Sequence, residues 1–231
     1  MKEYIILLHG ALGTKQQLEG LKHLLSEQFE VHTFNFDGHG GMAIEKSFSI
    51  DLFVDNTYSY IKTQKLEKAI VFGYSMGGYV ALRLASKYQD LGLKILTLGT
   101  KFDWTPDFAQ QEIRMLNPDK IEEKVPKFAH YLASLHTVDQ WKEVVVQTAN
   151  MMRQLGNAPK LGDHDLKNIA STVVIMVGGK DTMVTQEESK RICDVLPNAH
   201  FKVIDEFHHQ IEKINKQELA QIILDVIKKM K

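Results

Sequence analysis

One serine stands in a stretch whose spacing could make its hydroxyl reactive. Residues 71–86 read VFGYSMGGYVALRLAS, in which Ser75 has Gly73 two places before it and Gly77 two places after it. The apolar residues before Ser75 are typical of a strand, and those after it are typical of a helix. A chain that turns from strand to helix within about one residue is strained at the apex, and flanking glycines relieve the crowding. The pattern predicts a turn that exposes the Ser75 hydroxyl as a nucleophile.

A serine hydroxyl is a weak nucleophile at neutral pH, so this reading requires two partners for Ser75. A histidine must accept its proton, and an acid must orient that histidine. Further along the chain, Asp181 follows one apolar run, and His208 and His209 follow the next. This order of serine, acid and histidine is the one expected after such a turn. Asp205 is a weaker candidate for the acid, because it lies on the same loop as the histidines.

Six apolar runs alternate with helical patterns along the chain. Runs typical of strands buried on both faces are 4–8, 31–36, 69–72, 93–98, 173–177 and 200–204. Helical patterns fall at 16–28, 50–63, 76–88, 186–196 and 216–229. This alternation predicts an α/β fold with a doubly wound, mostly parallel sheet of about six strands. Ligands of such sheets bind beyond the carboxyl ends of the strands, where the glycine-rich segments and Ser75 are expected.

The alternation stops between residues 101 and 165, where the pattern is helical only. Four of the chain's five prolines punctuate this segment: Pro106, Pro118, Pro126 and Pro159. We expect residues 1–100 and 166–231 to form a core domain and residues 101–165 to form a helical cap or lid over the carboxyl edge of the sheet. The alternative is a helical subdomain that only covers apolar surface.

Composition and charge exclude several classes of protein. With 231 residues the chain fits one large α/β domain, or a domain with an insertion. Its 28 basic and 29 acidic residues are balanced and form no basic stripe, which excludes nucleic acid as an expected partner. Cys193 is the only cysteine, which agrees with a reducing compartment. Neither a signal peptide nor an apolar run of about 18 residues is present, so we expect a cytoplasmic protein without a membrane span.

The motifs together resemble the α/β-hydrolase superfamily over nearly the full length of the chain. The H-G loop of that family is similar to HGALG at 9–13, its D-x-x-G-H-G loop to the shorter DGHG at 37–40, and its G-x-x-D loop to GGKD at 178–181. The resemblance implies the α/β-hydrolase fold without its first two strands. The family usually has Gly-His before the last helix, so His209 aligns with the catalytic base, and His208 is the alternative base.

The resemblance also implies an oxyanion hole made of two backbone N–H groups. One belongs to Met76, which follows the nucleophile at the start of a helix, where the helix dipole favours negative charge. The other follows the H-G pair and maps to Ala11, with Leu12 as an alternative one residue further on.

The candidate substrate pocket is assigned to apolar and aromatic residues near these loops. Its first candidates are Leu12, Tyr74, Trp141 and Met183. Other residues that line either the pocket or the core are Met115, Met151, Met152, Trp104 and Tyr131. We predict no metal site and no cofactor, because no histidine or cysteine spacing suits zinc and no nucleotide-binding glycine motif fits. The expected partner is a small-molecule substrate, and the oligomeric state is left open.

Three functions are consistent with this pattern. The leading one is a serine hydrolase that cleaves carboxylic esters of small or medium acyl substrates through an acyl-enzyme. The second is a lyase that uses the same triad, because DGHGG and GYSMGGYVALRLA resemble 2-succinyl-6-hydroxy-2,4-cyclohexadiene-1-carboxylate synthase. Relatives of that lyase carry an arginine where this chain has Tyr79, so Arg114 or Arg153 would have to supply the cation. The third is a non-catalytic small-molecule receptor or binding protein.

Overall fold

Six parallel strands form the sheet in the computed structural model, which describes residues 2–230. In chain order they are β1 Glu3–Leu8, β2 Phe29–Thr33, β3 Ile70–Tyr74, β4 Lys94–Leu98, β5 Val173–Gly178 and β6 Ala199–Ile204. Their order across the sheet is β2-β1-β3-β4-β5-β6, and every neighbouring pair is parallel. The α/β class and the parallel sheet predicted from the sequence are confirmed.

Helices cover both faces of this sheet and form the insertion. They are α1 Glu19–Leu25, α2 Ile50–Gln64, α3 Met76–Lys87, α4 Pro106–Ile113, α5 Pro118–Lys124, α6 Pro126–His136, α7 Trp141–Asn157, α8 Asp163–Lys167, α9 Gln186–Val195 and α10 Lys216–Lys229. Helices α1 and α10 pack on one face of the sheet, whereas α2, α3 and α9 pack on the other. The strands are therefore buried on both sides.

Strand β1 shows why the apolar runs lack alternation. Ile5 and Leu7 point to the face covered by α1 and α10, and Ile6 and Leu8 point to the opposite face. All four side chains are fully buried. Because successive side chains of a strand point to opposite faces, a strand between two helical layers must be apolar at every position.

The prolines of the insertion mark where its helices begin. Pro106, Pro118 and Pro126 are each the first residue of a helix, a position at which the missing N–H costs no hydrogen bond. Thr105 and Asn117 precede two of them and accept hydrogen bonds from backbone N–H groups of the first turn. The helical insertion predicted from this segment is confirmed as α4–α7.

Two predicted elements have different bounds in the structure. The strand expected at 31–36 is β2, which ends at Thr33. Beyond it, Phe34 stacks on Tyr60 and Phe36 stacks on Phe53, with ring centroids 4.4 and 4.8 Å apart. Phe34 and Phe36 thus lie in a loop, and their apolar side chains pack against aromatic rings of another segment. The helix expected at 16–28 begins as a 3₁₀ turn and becomes α1 only at Glu19.

The insertion has a small core of its own. Its buried cluster joins α5, α6 and α7 and consists of Ile121, Ala129, Leu132, Trp141 and Val145. Helix α4 packs against α7 and closes the insertion on its other side. None of the helices between residues 2 and 230 is both long and apolar enough to cross a membrane.

Candidate active site

Ser75 occupies a strained turn between β3 and α3. Its backbone has φ 51° and ψ −116°, a conformation that residues other than glycine rarely adopt. Two contacts hold the turn: the N–H of Ser75 donates to the carbonyl of Leu98 at 2.9 Å, and the Thr100 hydroxyl donates to the carbonyl of Ser75 at 3.0 Å. Neighbouring strand β4 therefore supplies part of the restraint on this conformation.

The two glycines that flank Ser75 allow α3 to pass close to the sheet. A Cβ atom at Gly73 would collide with the backbone of Gly77 and Gly78. A Cβ atom at Gly77 would collide with the carbonyl oxygen of Leu8 at the end of β1. Both obstacles are backbone atoms, which no side-chain rearrangement can move. The spacing of glycines seen in the sequence is thus required by the approach of α3 to β1 and β3.

Three side chains that are distant in sequence form a continuous chain of contacts at the carboxyl edge of the sheet. The Oγ atom of Ser75 lies 3.2 Å from Nε2 of His209. The Nδ1 atom of the same ring lies 2.9 Å from Oδ2 of Asp181. Ser75 follows β3, Asp181 follows β5 and His209 follows β6, so parallel strands bring all three to one edge. His208 is half-buried and takes no part in these contacts.

The surroundings of Asp181 keep its carboxylate charged. Its other oxygen, Oδ1, accepts the backbone N–H groups of Met183 at 2.8 Å and Val184 at 2.9 Å. Burial acts to raise the pKa of Asp181, but the hydrogen bond and charge of His209 and these two N–H groups outweigh it, so the pKa is lowered. An ionised carboxylate accepts a hydrogen bond from Nδ1–H, so the proton stays on Nδ1 and Nε2 is the acceptor that faces Ser75.

Tyr74 fixes the loop that carries the histidine. Its hydroxyl donates to the backbone carbonyl of His209 at 2.8 Å, and the hydroxyl oxygen accepts a hydrogen bond from the N–H of Ile211 at 3.4 Å. On its other side the ring lies so close to Gly10 that a Cβ there would be 2.8 Å from Cε1 of the tyrosine. The sequence assigned Tyr74 only to the pocket wall. The structure also brings Tyr74, which precedes Ser75, into contact with the H-G loop and with the loop that carries His209.

The two backbone N–H groups expected to form the oxyanion hole belong to Met76 and Ala11. Met76 is the first residue of α3, and the first N–H groups of a helix have no partner within it. Ala11 belongs to a turn closed by the N–H of Gly13, which donates to the carbonyl of Gly10 at 3.2 Å. Both residues line one cavity with Ser75. This arrangement can present two donors to a single oxygen atom.

That cavity has a volume of about 220 Å³ and is mostly apolar. Of the pocket candidates, Leu12, Tyr74 and Met183 line it. The remaining lining residues named above as pocket or core alternatives are Trp104, Met115, Met151 and Met152. Helices α4 and α7 of the insertion and the segments that flank α4 thus contribute to its walls.

Trp141 does not line this cavity, which corrects the assignment made from the sequence. It is 4% exposed and lies in the small core of the insertion, against Ile121 and Leu132. Trp141 is the first residue of α7, and its neighbours in that core lie on α5 and α6. Tyr131 lies outside the cavity as well and is partly exposed.

Two charged residues of the cavity wall carried no signal in the sequence. Lys101 pairs with Glu188 at 2.6 Å, and this buried carboxylate also accepts the N–H groups of Phe102 and Asp103. Glu112 on α4 is half-buried. Burial raises the pKa of Glu112 and outweighs His209 and Lys101, whose charges act to lower it. Lys101 is therefore held by Glu188, and Glu112 is the acidic side chain that lines the cavity.

No group of three histidine, cysteine, aspartate or glutamate side chains within residues 2–230 is arranged to hold a metal ion. In the segment Asp163-His164-Asp165, the last carboxylate pairs with Arg83 at 2.9 Å. Of the histidines in the loops near Ser75, His9 and His39 are buried and bond backbone atoms.

A parallel sheet with a nucleophile turn after its central strand defines a class of protein, and comparison with known families agrees. The profile of Hydrolase_4, described as serine aminopeptidase, S33, matches residues 1–213. The chain therefore belongs to the α/β-hydrolase superfamily and, within it, to this family, whose relatives include esterase- and lipase-like proteins.

Individual relatives are distant. A Haemophilus influenzae protein named as a candidate esterase/lipase is 20% identical over 214 residues, which cover 84% of this chain and 72% of that protein. The human serine hydrolase BPHL is 24% identical over 228 residues, covering 90% of this chain and 77% of the relative. The solved structure of the esterase EaEST from Exiguobacterium antarcticum superposes with a TM-score of 0.80 at 18% identity, covering 98% of this chain and 92% of that one. At this identity the superposition shows the shared fold.

Proposed function

We propose that this chain is a serine hydrolase that cleaves carboxylic ester bonds of small or medium acyl substrates. The observation that carries the proposal is the contact chain Ser75 Oγ–His209 Nε2 at 3.2 Å and His209 Nδ1–Asp181 Oδ2 at 2.9 Å. Such a chain gives a hydroxyl a proton acceptor at its side and gives that acceptor a fixed tautomer. Ser75 also opens directly onto the cavity, where a substrate carbonyl can reach it.

The proposed reaction proceeds in two halves. Ser75 attacks the ester carbonyl while His209 takes the hydroxyl proton, and Asp181 stabilises the imidazolium that results. The negative oxygen of the tetrahedral intermediate accepts the N–H groups of Ala11 and Met76. His209 then gives its proton to the leaving alcohol. Water repeats the sequence on the acyl-enzyme and releases the acid.

The walls of the cavity favour an apolar acyl group. Methionines, leucines and aromatic rings make up most of its lining. Flexible methionine side chains adapt to apolar groups of different shapes. Glu112 adds a carboxyl group to this lining, and a second carboxylate beside it would raise the free energy of the bound state, which disfavours substrates rich in carboxylates.

This last feature weakens the lyase alternative, whose substrate is rich in carboxylates. At the position where relatives of that lyase have arginine, the Tyr79 hydroxyl accepts the backbone N–H groups of Lys160 and Leu161. Neither Arg114 nor Arg153 lines the cavity. A receptor without turnover is disfavoured for a different reason: recognition requires a pocket, but not an aligned serine, histidine and carboxylate.

Hydrolysis of p-nitrophenyl esters of increasing acyl length tests the proposal. We expect the wild-type protein to hydrolyse short and medium esters and Ser75→Ala to abolish the activity. Ser26→Ala is the matched control, because Ser26 is exposed and its hydroxyl donates to the Lys22 carbonyl at the end of its own helix. Equal rates for wild type and Ser75→Ala would overturn the proposal, and pyruvate release from the lyase substrate would favour the second function.

The family description adds one comparison substrate. A serine aminopeptidase cleaves an amide bond after an N-terminal residue, so proline p-nitroanilide should be assayed beside the esters. We expect kcat/KM to be higher for the esters. Faster cleavage of the anilide would leave the proposed triad unchanged, but the substrate class would then be peptides and not esters.

A further inference from the structure

One buried histidine of the insertion reaches into the core beside the candidate oxyanion loop. His136 is the last residue of α6 and is fully buried. Its Nε2 atom lies 2.9 Å from the carbonyl oxygen of Leu12, and its Nδ1 atom lies 3.0 Å from the backbone nitrogen of Gly40. The ring therefore joins the insertion to the loops that follow β1 and β2.

The partners of His136 define the form of its ring. The N–H of Gly40 can only donate, so Nδ1 must be the unprotonated nitrogen, and Nε2 carries the proton that is donated to Leu12. Burial lowers the pKa of His136, which favours this neutral form. Both ring nitrogens are thus occupied by backbone groups, and neither is available to a substrate.

The contacted residue, Leu12, has a backbone conformation that must be held from outside. Its φ is 58°, in the left-handed region that residues with a side chain adopt only at an energetic cost. Three restraints oppose its relaxation. They are the hydrogen bond from His136, the Gly10–Gly13 turn, and the packing of the Leu12 side chain against both the core and the cluster of the insertion.

We propose that His136 is a positioning residue for the oxyanion hole. By holding the Leu12 carbonyl, it keeps the turn that directs the Ala11 N–H toward the oxygen of the tetrahedral intermediate. The inference rests on the proposed function, in which Ala11 is an oxyanion donor. It gives the insertion a part in the chemical step, because α6 supplies the group that sets a catalytic loop of the core.

Two substitutions separate the two hydrogen bonds of the ring. In His136→Gln, the side-chain amide nitrogen can take the place of Nε2 and donate to Leu12. In His136→Asn, the shorter amide can place its oxygen at Nδ1 and accept the Gly40 N–H, but it does not reach Leu12. Each variant keeps one buried hydrogen bond and loses the other. Each is therefore a control for the loss of folding stability in the other variant.

The proposal predicts different kinetics for this pair of variants. We expect His136→Asn to lower kcat for ester hydrolysis by about 10-fold or more, up to the ~10²–10³-fold effect of removing one oxyanion donor, with KM nearly unchanged. His136→Gln should keep kcat within about threefold of wild type, because the donor that holds the turn is restored. Equal losses of kcat in the two variants, or losses that follow their melting temperatures, would overturn the proposal.

A second measurement separates this inference from the proposed function. Backbone amide NMR of the two variants reports the turn whether or not the protein hydrolyses esters. We expect the amide signals of Ala11 and Gly13 to shift in His136→Asn and to stay near their wild-type positions in His136→Gln. An unchanged turn in His136→Asn would contradict the inference. If the turn shifts as expected but wild type is inactive on esters and unreactive toward a fluorophosphonate, the proposed function fails while the positioning of the turn stands.

Discussion

At Ser75 the strained backbone and the nearby imidazole have separate effects. The φ of 51° places the hydroxyl at the mouth of the cavity, and the ring of His209 lies within hydrogen-bond distance of it. A serine in an ordinary helix would have neither feature. The reactivity we propose is therefore a property of the turn and its partners, and substitutions at each partner have distinct consequences.

The carboxylate of Asp181 should be required for the rate and not for binding. Asp181→Asn removes the charge that holds the Nδ1 proton and allows the wrong tautomer to face Ser75. We expect kcat to fall by about 10³–10⁴-fold with little change in KM. Asp205→Asn is the control, since Asp205 is exposed on the histidine loop. A larger loss with Asp205→Asn than with Asp181→Asn would reverse the assignment of the acid.

Tyr74→Phe tests the tie between the nucleophile turn and the histidine loop. It removes only the hydroxyl that donates to the His209 carbonyl. Because a loosened His209 meets Ser75 less often in the reactive geometry, we expect kcat to fall by about tenfold, equivalent to ~1.4 kcal/mol of barrier. Tyr60→Phe removes a hydroxyl that bonds His32 and should leave kcat unchanged. Steady-state kinetics of both variants give the comparison, and full activity of Tyr74→Phe would show that the tie is unimportant.

The sequence identified the residues that carry a motif and missed those that depend on distant contacts. Ser75 and Asp181 follow from the order of loops after apolar runs, which also offers both His208 and His209, and the family resemblance points to His209. His136 and Glu112 lie in helices with no special spacing, and their roles arise only when the insertion folds over the core. A single sequence contains no pattern that links His136 to Leu12, which is 124 positions away.

The approach of α3 to β1 is a tight constraint on an element that carries the site. Gly77→Ala should lower the free energy of unfolding by about 1–3 kcal/mol, because its Cβ meets the Leu8 carbonyl and the helix must move away. Gly162→Ala is the matched control, because a Cβ at Gly162 would lie 3.7 Å from the nearest atom, Oδ2 of Asp165, which is an ordinary van der Waals contact. Urea denaturation measures both variants. Equal stability of the two would contradict the close approach inferred for α3.

Most helices and strands could be predicted because their signals are local. Strand β5 is apolar throughout, and α10 begins after Asn215, whose side chain accepts the N–H of Glu218. The end of β2 could not be predicted, because Phe34 and Phe36 are as apolar as strand residues but pack on rings of other segments. Pattern alone does not distinguish apolar residues of a strand from apolar residues of a buried loop.

At the scale of the whole molecule, hydrogen bonds join the insertion to the core. Gln140 donates to the carbonyls of Gly38 and Met42, and Gln147 accepts the N–H of Phe48. Together with the His136 contacts, these bonds join α6 and α7 to the loop after β2. The assignment of residues 101–165 as a separate cap is still a prediction, and these bonds lead us to expect that it unfolds together with the core.

Stability should decrease at mildly acidic pH because His9 is buried in its neutral form. Burial lowers the pKa of His9 from 6.5 to about 4, so below pH 6.5 the unfolded chain takes up a proton that the folded chain does not. His9 alone should therefore cost about 2 kcal/mol of unfolding free energy between pH 7 and pH 5. His39 and His136 lie near it, and their pKa values are lowered in the same direction.

Chemical denaturation at pH 7 and pH 5 measures this effect. The loss between the two values should be smaller in His9→Gln by about the contribution of one such histidine, ~2 kcal/mol. His164→Gln serves as the control, because His164 is exposed on α8. A protein that is equally stable at both pH values would contradict the neutral, buried histidines.

The most direct test of the central claim is the site at which a fluorophosphonate reacts. Peptide mass spectrometry after labelling should find the adduct on Ser75 in the wild-type protein. Labelling should be lost in His209→Ala and retained in His208→Ala. An adduct on another residue, or labelling that survives His209→Ala and disappears in His208→Ala, would contradict the activation of Ser75 by His209.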